Sequence, residues 1–171
     1  MRYISTRSHN SSSNSNFSKV IMEGLSADGG LYIPQKIPTF SSSELENMVN
    51  MNYTELCAEV IFKYCGTCFT KEDIKNIAID SYKNFGKNEI APMVNVSDNI
   101  DILELFHGPT LAFKDFALQF LSRVFNILLG REGKKITIIG ATSGDTGSAA
   151  IEAFKNNNLA NIIILHPKGK V

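Results

Sequence analysis

One lysine of this sequence stands where an ammonium group is usually disfavoured. The segment 104–117 reads ELFHGPTLAFKDFA, and a predicted strand there runs into a turn-rich loop that leads to Lys114 at the start of a predicted helix. The positive end of a helix favours anions, so we expect this position to favour the neutral, nucleophilic amine. From spacing alone, a solvated surface lysine is the commoner explanation. Asp115 suits the helix start as a structural residue.

A second segment has the residue types of an anion-binding loop. Residues 140–147 read GATSGDTG between a predicted strand and a predicted helix. Glycines let the backbone approach a ligand closely, and a helix start offers free N–H groups to an anion. The hydroxyl groups of Thr142, Ser143 and Thr146 add donors. The segment matches neither a Walker loop nor GxGxxG. A tight turn with Asp145 or Thr146 as the helix cap explains the pattern equally well.

The three cysteines do not form a recognisable site. Cys57, Cys65 and Cys68 are an odd number, no secretion signal accompanies them, and the three histidines are distant in sequence. Structural zinc needs about four ligands, so the Cys65–Cys68 spacing alone does not predict a metal site. We therefore predict no disulfide framework and no metal, and we interpret the cysteines as small buried residues.

Composition excludes several classes of protein. The 171 residues carry 17 basic and 17 acidic side chains, and a net charge of zero argues against a general nucleic-acid binder. No apolar run is long enough to span a membrane, and the polar start lacks the apolar stretch of a secretion signal. We therefore expect a cytoplasmic protein with neither a nucleic acid nor a membrane as partner.

The elements that position these residues differ on the two sides of Pro92. Before it we predict short strands at 3–6 and 31–33, and helices at 44–50, 54–65 and 70–85 that begin with caps at Ser43, Thr54 and Thr70. The polar tract at 9–18 predicts a mobile loop.

After Pro92 the predicted order is that of an α/β protein. Two strands at 93–96 and 101–106 are separated by a predicted turn at 97–99. A helix from 113 or 114 to 129, a strand at 135–139, a helix at 147–154 and a strand at 162–165 follow. This alternation predicts a parallel sheet, and the short apolar runs fit strands covered on both faces.

Three segments of the sequence together resemble threonine synthase, a pyridoxal-phosphate enzyme with the fold of the tryptophan synthase β-subunit. They are 24–34 (GLSADGGLYIP), 106–116 (FHGPTLAFKDF) and 141–147 (ATSGDTG), and segments 3–7 and 167–171 add to the likeness. The resemblance implies a mostly helical N-terminal domain at 1–92. It implies that 93–171 is the first, incomplete part of a three-layer pyridoxal-phosphate domain with a parallel sheet.

The resemblance also implies a chemistry. The family converts O-phospho-L-homoserine and water to L-threonine and phosphate, as a carbon–oxygen lyase acting on phosphates in threonine biosynthesis. Lys114 is then the catalytic residue that forms the aldimine with pyridoxal 5'-phosphate, and Asp145 lies near the ring of this cofactor. The substrate carboxylate is then bound by the loop residues Thr142, Ser143, Gly144 and Thr146.

The sequence also departs from the family pattern. Family members are more than twice as long, and the glycine-rich loop that holds the cofactor phosphate has no counterpart here. We therefore expect an amino-terminal fragment with little or no activity alone, for which a complementary C-terminal fragment is a candidate partner. Two alternatives stay open: another lyase of this fold such as threonine dehydratase, against which 28–30 and 107–109 argue, and a non-catalytic remnant or anion-binding βα module.

Overall fold

The structure is a computed structural model, and it describes residues 1–8, 15–86 and 89–169. Within them the chain forms two compact units, Met1–Ala78 and Ile79–Val171. The elements of the first unit are β1 (Tyr3–Ser5), α1 (Phe17–Glu23), β2 (Tyr32–Pro34), α2 (Ser42–Met48), α3 (Tyr53–Cys65) and the first part of α4 (Lys71–Tyr82). Strands β1 and β2 pair in antiparallel fashion.

Reciprocal side-chain caps start three helices, α2, α3 and α4. They join Ser41 to Glu44, Asn52 to Glu55 and Thr70 to Asp73. The Thr70 cap is therefore confirmed. The predicted caps Ser43 and Thr54 are wrong, because both lie inside their helices and an upstream residue provides the side chain that accepts from the third helical N–H.

The polar tract holds an element that its composition does not reveal. Residues 9–14 lie outside the described residues, but Phe17 begins α1, and the side chain of Asn16 accepts a hydrogen bond from the Lys19 N–H at 2.9 Å. The Phe17 ring lies 6.4 Å from Tyr3 and 6.1 Å from Phe69, measured between ring centroids. One buried aromatic residue therefore orders the end of a segment that composition assigns to a loop.

The cysteines occupy structural positions in the first unit. Cys65 is 2% exposed, and burial, with smaller contributions from Cys68 and Cys57, raises its pKa to about 12. The backbone N–H of Cys68 donates to the Cys65 carbonyl oxygen at 3.2 Å, which makes the CxxC segment a turn. Among the described residues, no group of three or more His, Cys, Asp or Glu is arranged to hold a metal ion.

The second unit contains the α/β part of the chain. After the end of α4, its elements are β3 (Met93–Ser97), β4 (Ile100–Leu103), α5 (Lys114–Glu132), β5 (Ile136–Ala141), α6 (Asp145–Phe154) and β6 (Ala160–Leu165). Helix α5 packs against α6, and α6 packs against β6. None of the helices in the described ranges is long and apolar enough to cross a membrane.

The sheet of the second unit differs in detail from the predicted one. Strands β5 and β6 are parallel, as predicted, and the predicted turn at 97–99 joins β3 and β4 as an antiparallel hairpin. In the described residues this hairpin is a separate sheet, so the prediction that β4 belongs to the parallel sheet is wrong. Burial also alternates along β5 and β6, so one side of this pair is open: Ile139 is 69% exposed and its partner Ile163 is 50% exposed. The α/β class is therefore confirmed, whereas coverage of both faces is wrong for the described residues.

Candidate active site

The loop that leads to Lys114 is held by a buried carboxylate. Asp115, the second residue of α5, is fully buried. Its Oδ2 accepts a hydrogen bond from the Thr110 N–H at 2.8 Å, and its Oδ1 accepts one from the Thr110 hydroxyl, also at 2.8 Å. Charge-assisted hydrogen bonds of this kind are among the stronger ones in proteins. The carboxylate therefore fixes the turn at Thr110 to the first turn of the helix, beside Lys114.

Gly108 makes this arrangement sterically feasible. A Cβ atom at position 108 would lie 2.5 Å from Oδ2 and 2.6 Å from Cβ of Asp115. Real Cβ atoms do not approach other atoms so closely, so any side chain at 108 would push the carboxylate away from Thr110. The glycine of the HGPT segment thus serves packing against Asp115.

The same loop contains a residue in an unfavourable backbone conformation. Leu111 has φ = 62°, the one positive φ of a non-glycine residue in the described part of the chain. Its side chain is 72% exposed, so its own packing does not explain the conformation. A left-handed residue of this type is disfavoured by about 1–2 kcal/mol. The bonds between Thr110 and Asp115 supply energy that holds the chain in this turn.

Two further contacts fix the two ends of the loop within the second unit. The Gly86 N–H donates to the His107 carbonyl oxygen at 2.8 Å, and the Tyr82 hydroxyl donates to the Phe116 carbonyl oxygen at 3.1 Å. The largely buried His107 ring also lies 2.5 Å from a carboxylate oxygen of Glu104, measured from Nε2. The loop is therefore anchored on both sides of Lys114.

Lys114 itself is half-buried and accessible. It is the first residue of α5, and its Nζ lies 4.8 Å from the centroid of the Phe113 ring. Among the described residues, no carboxylate lies within ion-pair distance of this amine. The position therefore combines a rigid backbone with an amine that is not engaged by an acidic side chain.

The loop before α6 is exposed, unlike the anchored loop before α5. Gly144 is the N-cap residue of α6 and has no side chain with which to bond the first amides of the helix. Thr142 is half-buried, and the next four residues (143–146) are exposed. The Thr142 hydroxyl contacts the Gly144 N–H at 3.4 Å, which is a long hydrogen bond. Amide and hydroxyl donors therefore face solvent at a helix start, where an anion binds favourably.

The three glycines of this loop serve different purposes. A Cβ atom at Gly140 would lie 2.9 Å from Cδ1 of Ile164, and one at Gly147 would lie 2.8 Å from Cγ2 of Thr142. A Cβ atom at Gly144 would meet no atom within 4 Å. Two glycines therefore serve close packing inside the protein, and the backbone at Gly144 is the part that a ligand can approach.

Topology brings both loops to the same edge of the sheet. Helix α5 ends in a short turn that leads directly into β5, so its start lies towards the far end of that strand. The loop before α6 follows the carboxyl end of β5 directly. Open α/β sheets bind ligands at this edge. The fold and site thus define an α/β protein with a lysine and an anion-binding helix start at one sheet edge.

Comparisons with known proteins show which proteins the chain resembles. The sequence model described as threonine synthase N terminus matches residues 2–82. Threonine synthase of Pseudomonas aeruginosa is 43% identical over 171 residues, which are all of this chain and 36% of the relative. The chain matches the amino-terminal part of threonine synthases along its whole length. It spans about 36% of the length of that relative.

Solved structures agree with this result. The crystal structure of PLP-bound threonine synthase from Brucella melitensis superposes with a TM-score of 0.93 at 40% identity, over 100% of this chain and 36% of that one. The crystal structure of threonine synthase from yeast gives a TM-score of 0.92 at 40% identity, over 98% and 36%. These relatives are named threonine synthase, which favours that family over the dehydratase alternative.

The residues present fit the part of a pyridoxal-phosphate site that the sequence predicts. The cofactor needs an amine for its aldehyde, and Lys114 offers one on an anchored backbone. The predicted substrate residues Thr142, Ser143, Gly144 and Thr146 form one exposed donor loop, with Asp145 as the first residue of α6. Their individual roles stay predictions.

One positioning contact was not predicted from sequence. The sequence predicts Asp115 as a structural residue at the helix start. It does not predict that Asp115 bonds to Thr110, or that the absence of a side chain at Gly108 makes room for its carboxylate. The sequence signal for this contact is Thr110, in a turn-rich segment, five residues before an acidic residue at the start of a helix. That signal is weak, because the contact also requires the unusual backbone of Leu111.

Proposed function

We propose that this chain supplies the cofactor lysine and the substrate-carboxylate loop of a threonine synthase. The reaction would convert O-phospho-L-homoserine and water to L-threonine and phosphate, which makes the protein a carbon–oxygen lyase acting on phosphates. The observation that carries the proposal is the anchored Lys114 amine at the same sheet edge as the uncapped start of α6. Similarity to threonine synthases over the whole chain supports it.

In this proposal Lys114 holds pyridoxal 5'-phosphate through its amine. When bound, the cofactor supplies an electron sink for negative charge that develops on substrate carbons. Asp115, through Thr110, keeps the backbone on both sides of the lysine fixed, so the side chain of Lys114 starts from a fixed position. The Lys114 amine would carry protons to and from substrate carbon.

The loop before α6 would orient the substrate. Backbone amides at the start of α6 and the hydroxyls of Thr142, Ser143 and Thr146 bind the α-carboxylate, since anions are stabilised at helix starts. Gly144 lets the backbone come close, because the space next to its Cα is open. Asp145 lies beside the cofactor ring in this proposal.

Further parts of the proposal concern the whole protein. We propose a cytoplasmic enzyme of threonine biosynthesis in which 1–92 form the N-terminal domain and 93–171 the first part of the cofactor domain. The chain spans about 36% of its relatives' length. We therefore propose that these 171 residues turn over substrate weakly or not at all alone, and that a complementary C-terminal segment is the missing partner.

Cofactor attachment is tested first. The chain is mixed with pyridoxal 5'-phosphate, reduced with borohydride and digested, and the pyridoxyl group is mapped by mass spectrometry. We expect the label on Lys114. It should disappear in Lys114→Ala and persist in the matched variant Lys135→Ala, which changes an exposed lysine of the same unit. A label that persists unchanged in Lys114→Ala would exclude Lys114 as the attachment residue.

Turnover is tested in a fusion. The chain is joined to the remaining two thirds of the Pseudomonas aeruginosa relative, and phosphate and threonine are measured with O-phospho-L-homoserine as substrate. We expect equal amounts of both products from the fusion and a loss of more than about a thousandfold in Lys114→Ala. Release of ammonia from threonine, with no phosphate release, would instead indicate a dehydratase.

A further inference from the structure

The second unit contains a polar cleft that the proposed site does not use. It has a volume of about 260 Å³ and is formed by the end of α4, the middle of α5 and the end of α6 with its following turn. The end of α6 lies at the opposite edge of the sheet from the loop that precedes this helix. The cleft is smaller than typical pockets for drug-sized ligands, so it suits a group of a few heavy atoms.

The dominant feature of the cleft is Arg123, which is half-buried. Its Nη1 atom donates to the Gln119 carbonyl oxygen at 2.9 Å and to Gln119 Oε1 at 2.7 Å. Both contacts use the same nitrogen, whereas a guanidinium has five N–H donors in a planar fork. Within the described part of the chain, no carboxylate lies within 4 Å of this guanidinium.

The electrostatics indicate an incompletely compensated cation. Burial lowers the pKa of Arg123, and the nearby negative charge of Asp80 opposes this effect. Asp80 is itself engaged at 2.9 Å by Lys83, which also lines the cleft. The lining therefore carries two positive charges and one negative charge. Arginine stays charged at neutral pH, so the cleft has a net attraction for anions.

The remaining lining supplies neutral donors. The side chain of Asn157 is engaged in hydrogen bonds within the protein. Its Oδ1 accepts hydrogen bonds from the N–H groups of Leu159 and Ala160, both at 3.0 Å, and its Nδ2 donates to the Ser122 carbonyl oxygen at 3.1 Å. Asn126 and two asparagines of the turn after α6 also line the cleft and are exposed. Side-chain amides of this kind can donate to an oxygen that the guanidinium binds.

We propose that this cleft binds a small oxyanion, a phosphate or carboxylate group, through Arg123 and the surrounding asparagine amides. A guanidinium with free N–H groups matches the two oxygens of either group in a bidentate contact. The proposal is independent of the proposed function, since it uses neither Lys114 nor the loop before α6.

The test is a titration of the chain with inorganic phosphate and, separately, with acetate, at constant ionic strength. The signals of the Arg123 Nε–H and of the asparagine side-chain amides are followed by nitrogen-15 NMR. We expect saturable shifts with half-saturation on the order of millimolar, as one bidentate contact can provide. If only phosphate saturates the signals, the site binds a phosphate group. If only acetate does, it binds a carboxylate group, and if both do, it is a general oxyanion site.

Two variants and one control decide the outcome. Arg123→Gln should weaken binding by at least about tenfold, because the charged fork is lost. Asn126→Asp should also weaken it, since it adds a negative charge at the rim and leaves the bonds to Gln119 intact. Arg131→Gln, an exposed change on the same helix, should bind like the wild type. Absence of saturation in the wild type, or wild-type binding by both cleft variants, would overturn the proposal. If Arg123→Gln does not fold, Asn126→Asp alone decides.

Discussion

Helices α5 and α6 both start at the same sheet edge, but their starts are built in opposite ways. At α5, a buried carboxylate of the protein bonds the preceding loop, and a strained leucine is held in place. At α6, the N-cap residue is a glycine without a cap, and the loop is exposed. Neither helix has a side-chain cap, but the loop before α5 is bonded by Asp115, whereas the loop before α6 is exposed.

The difference corresponds to two tasks. A residue that is to carry a covalently attached group needs a fixed backbone, because its amine must be presented in one geometry. A loop that binds a carboxylate needs unoccupied amides, because an internal cap would compete with the ligand. The following substitutions test this contrast, and each has a counterpart at the other helix start or in the same loop.

The largest effect is expected for Asp115→Ala. Two partly buried hydrogen bonds are lost and the Thr110 N–H and hydroxyl lose their acceptor, so the free energy of unfolding should fall by about 3 kcal/mol. The exposed counterpart Asp145→Ala should lower it by less than about 1 kcal/mol. Urea denaturation measures both. Asp115→Asn should restore most of the stability, since an amide can accept from the Thr110 N–H and donate to its hydroxyl. Equal losses for the two alanine variants would remove the contrast.

A slightly smaller effect is expected for Gly108→Ala. The added methyl group would lie 2.5–2.6 Å from atoms of Asp115, and overpacking of this kind lowers stability by about 2 kcal/mol. Gly144→Ala is the matched control, because its Cβ would meet nothing within 4 Å and its φ of −156° suits alanine. Thermal unfolding followed by circular dichroism compares them. The contrast fails if Gly144→Ala destabilises the chain as much as Gly108→Ala.

The loss of stability caused by Gly147→Ala should lie between the losses caused by Gly108→Ala and Gly144→Ala. Its Cβ would lie 2.8 Å from Thr142 Cγ2 and 3.1 Å from Ile164 Cγ2, which is unfavourable, but alanine favours a helix by about 1 kcal/mol over glycine. We expect a net loss of about 1 kcal/mol in urea denaturation. Ser148→Ala, at the next and exposed position, should change little. A stabilised Gly147→Ala variant would show that this glycine is not a packing residue.

The smallest effect is expected for Leu111→Gly. Glycine adopts φ = 62° without steric penalty, but it also loses more conformational freedom on folding. Because the Leu111 side chain is largely exposed, we expect a gain of roughly 0.5 kcal/mol in the free energy of unfolding. Replica measurements by urea denaturation resolve such a change. A loss above about 1 kcal/mol would mean that the leucine side chain, and not the loop bonds, maintains the turn.

The sequence was sufficient to predict where Lys114 lies, because a strand, a turn-rich segment and a helical pattern follow one another there. It was insufficient for the bonds of Asp115, which depend on a left-handed Leu111 that local propensity disfavours. The alternation of elements also predicts that β4 belongs to the parallel sheet. This is wrong, because tertiary contacts, and not the apolar pattern of β4 itself, decide which strand it pairs with. Helix α1 was missed because only two of its residues, Phe17 and Val20, are buried, which leaves a weak periodic signal.

The open side of β5 and β6 has a practical consequence for work with the purified chain. Ile139 and Ile163 are cross-strand partners, and both are largely exposed on a sheet of two strands. Such a surface is prone to concentration-dependent aggregation by edge-to-edge or face-to-face association. Dilute samples, checked by light scattering, are therefore the appropriate starting material for the titrations and unfolding measurements described above.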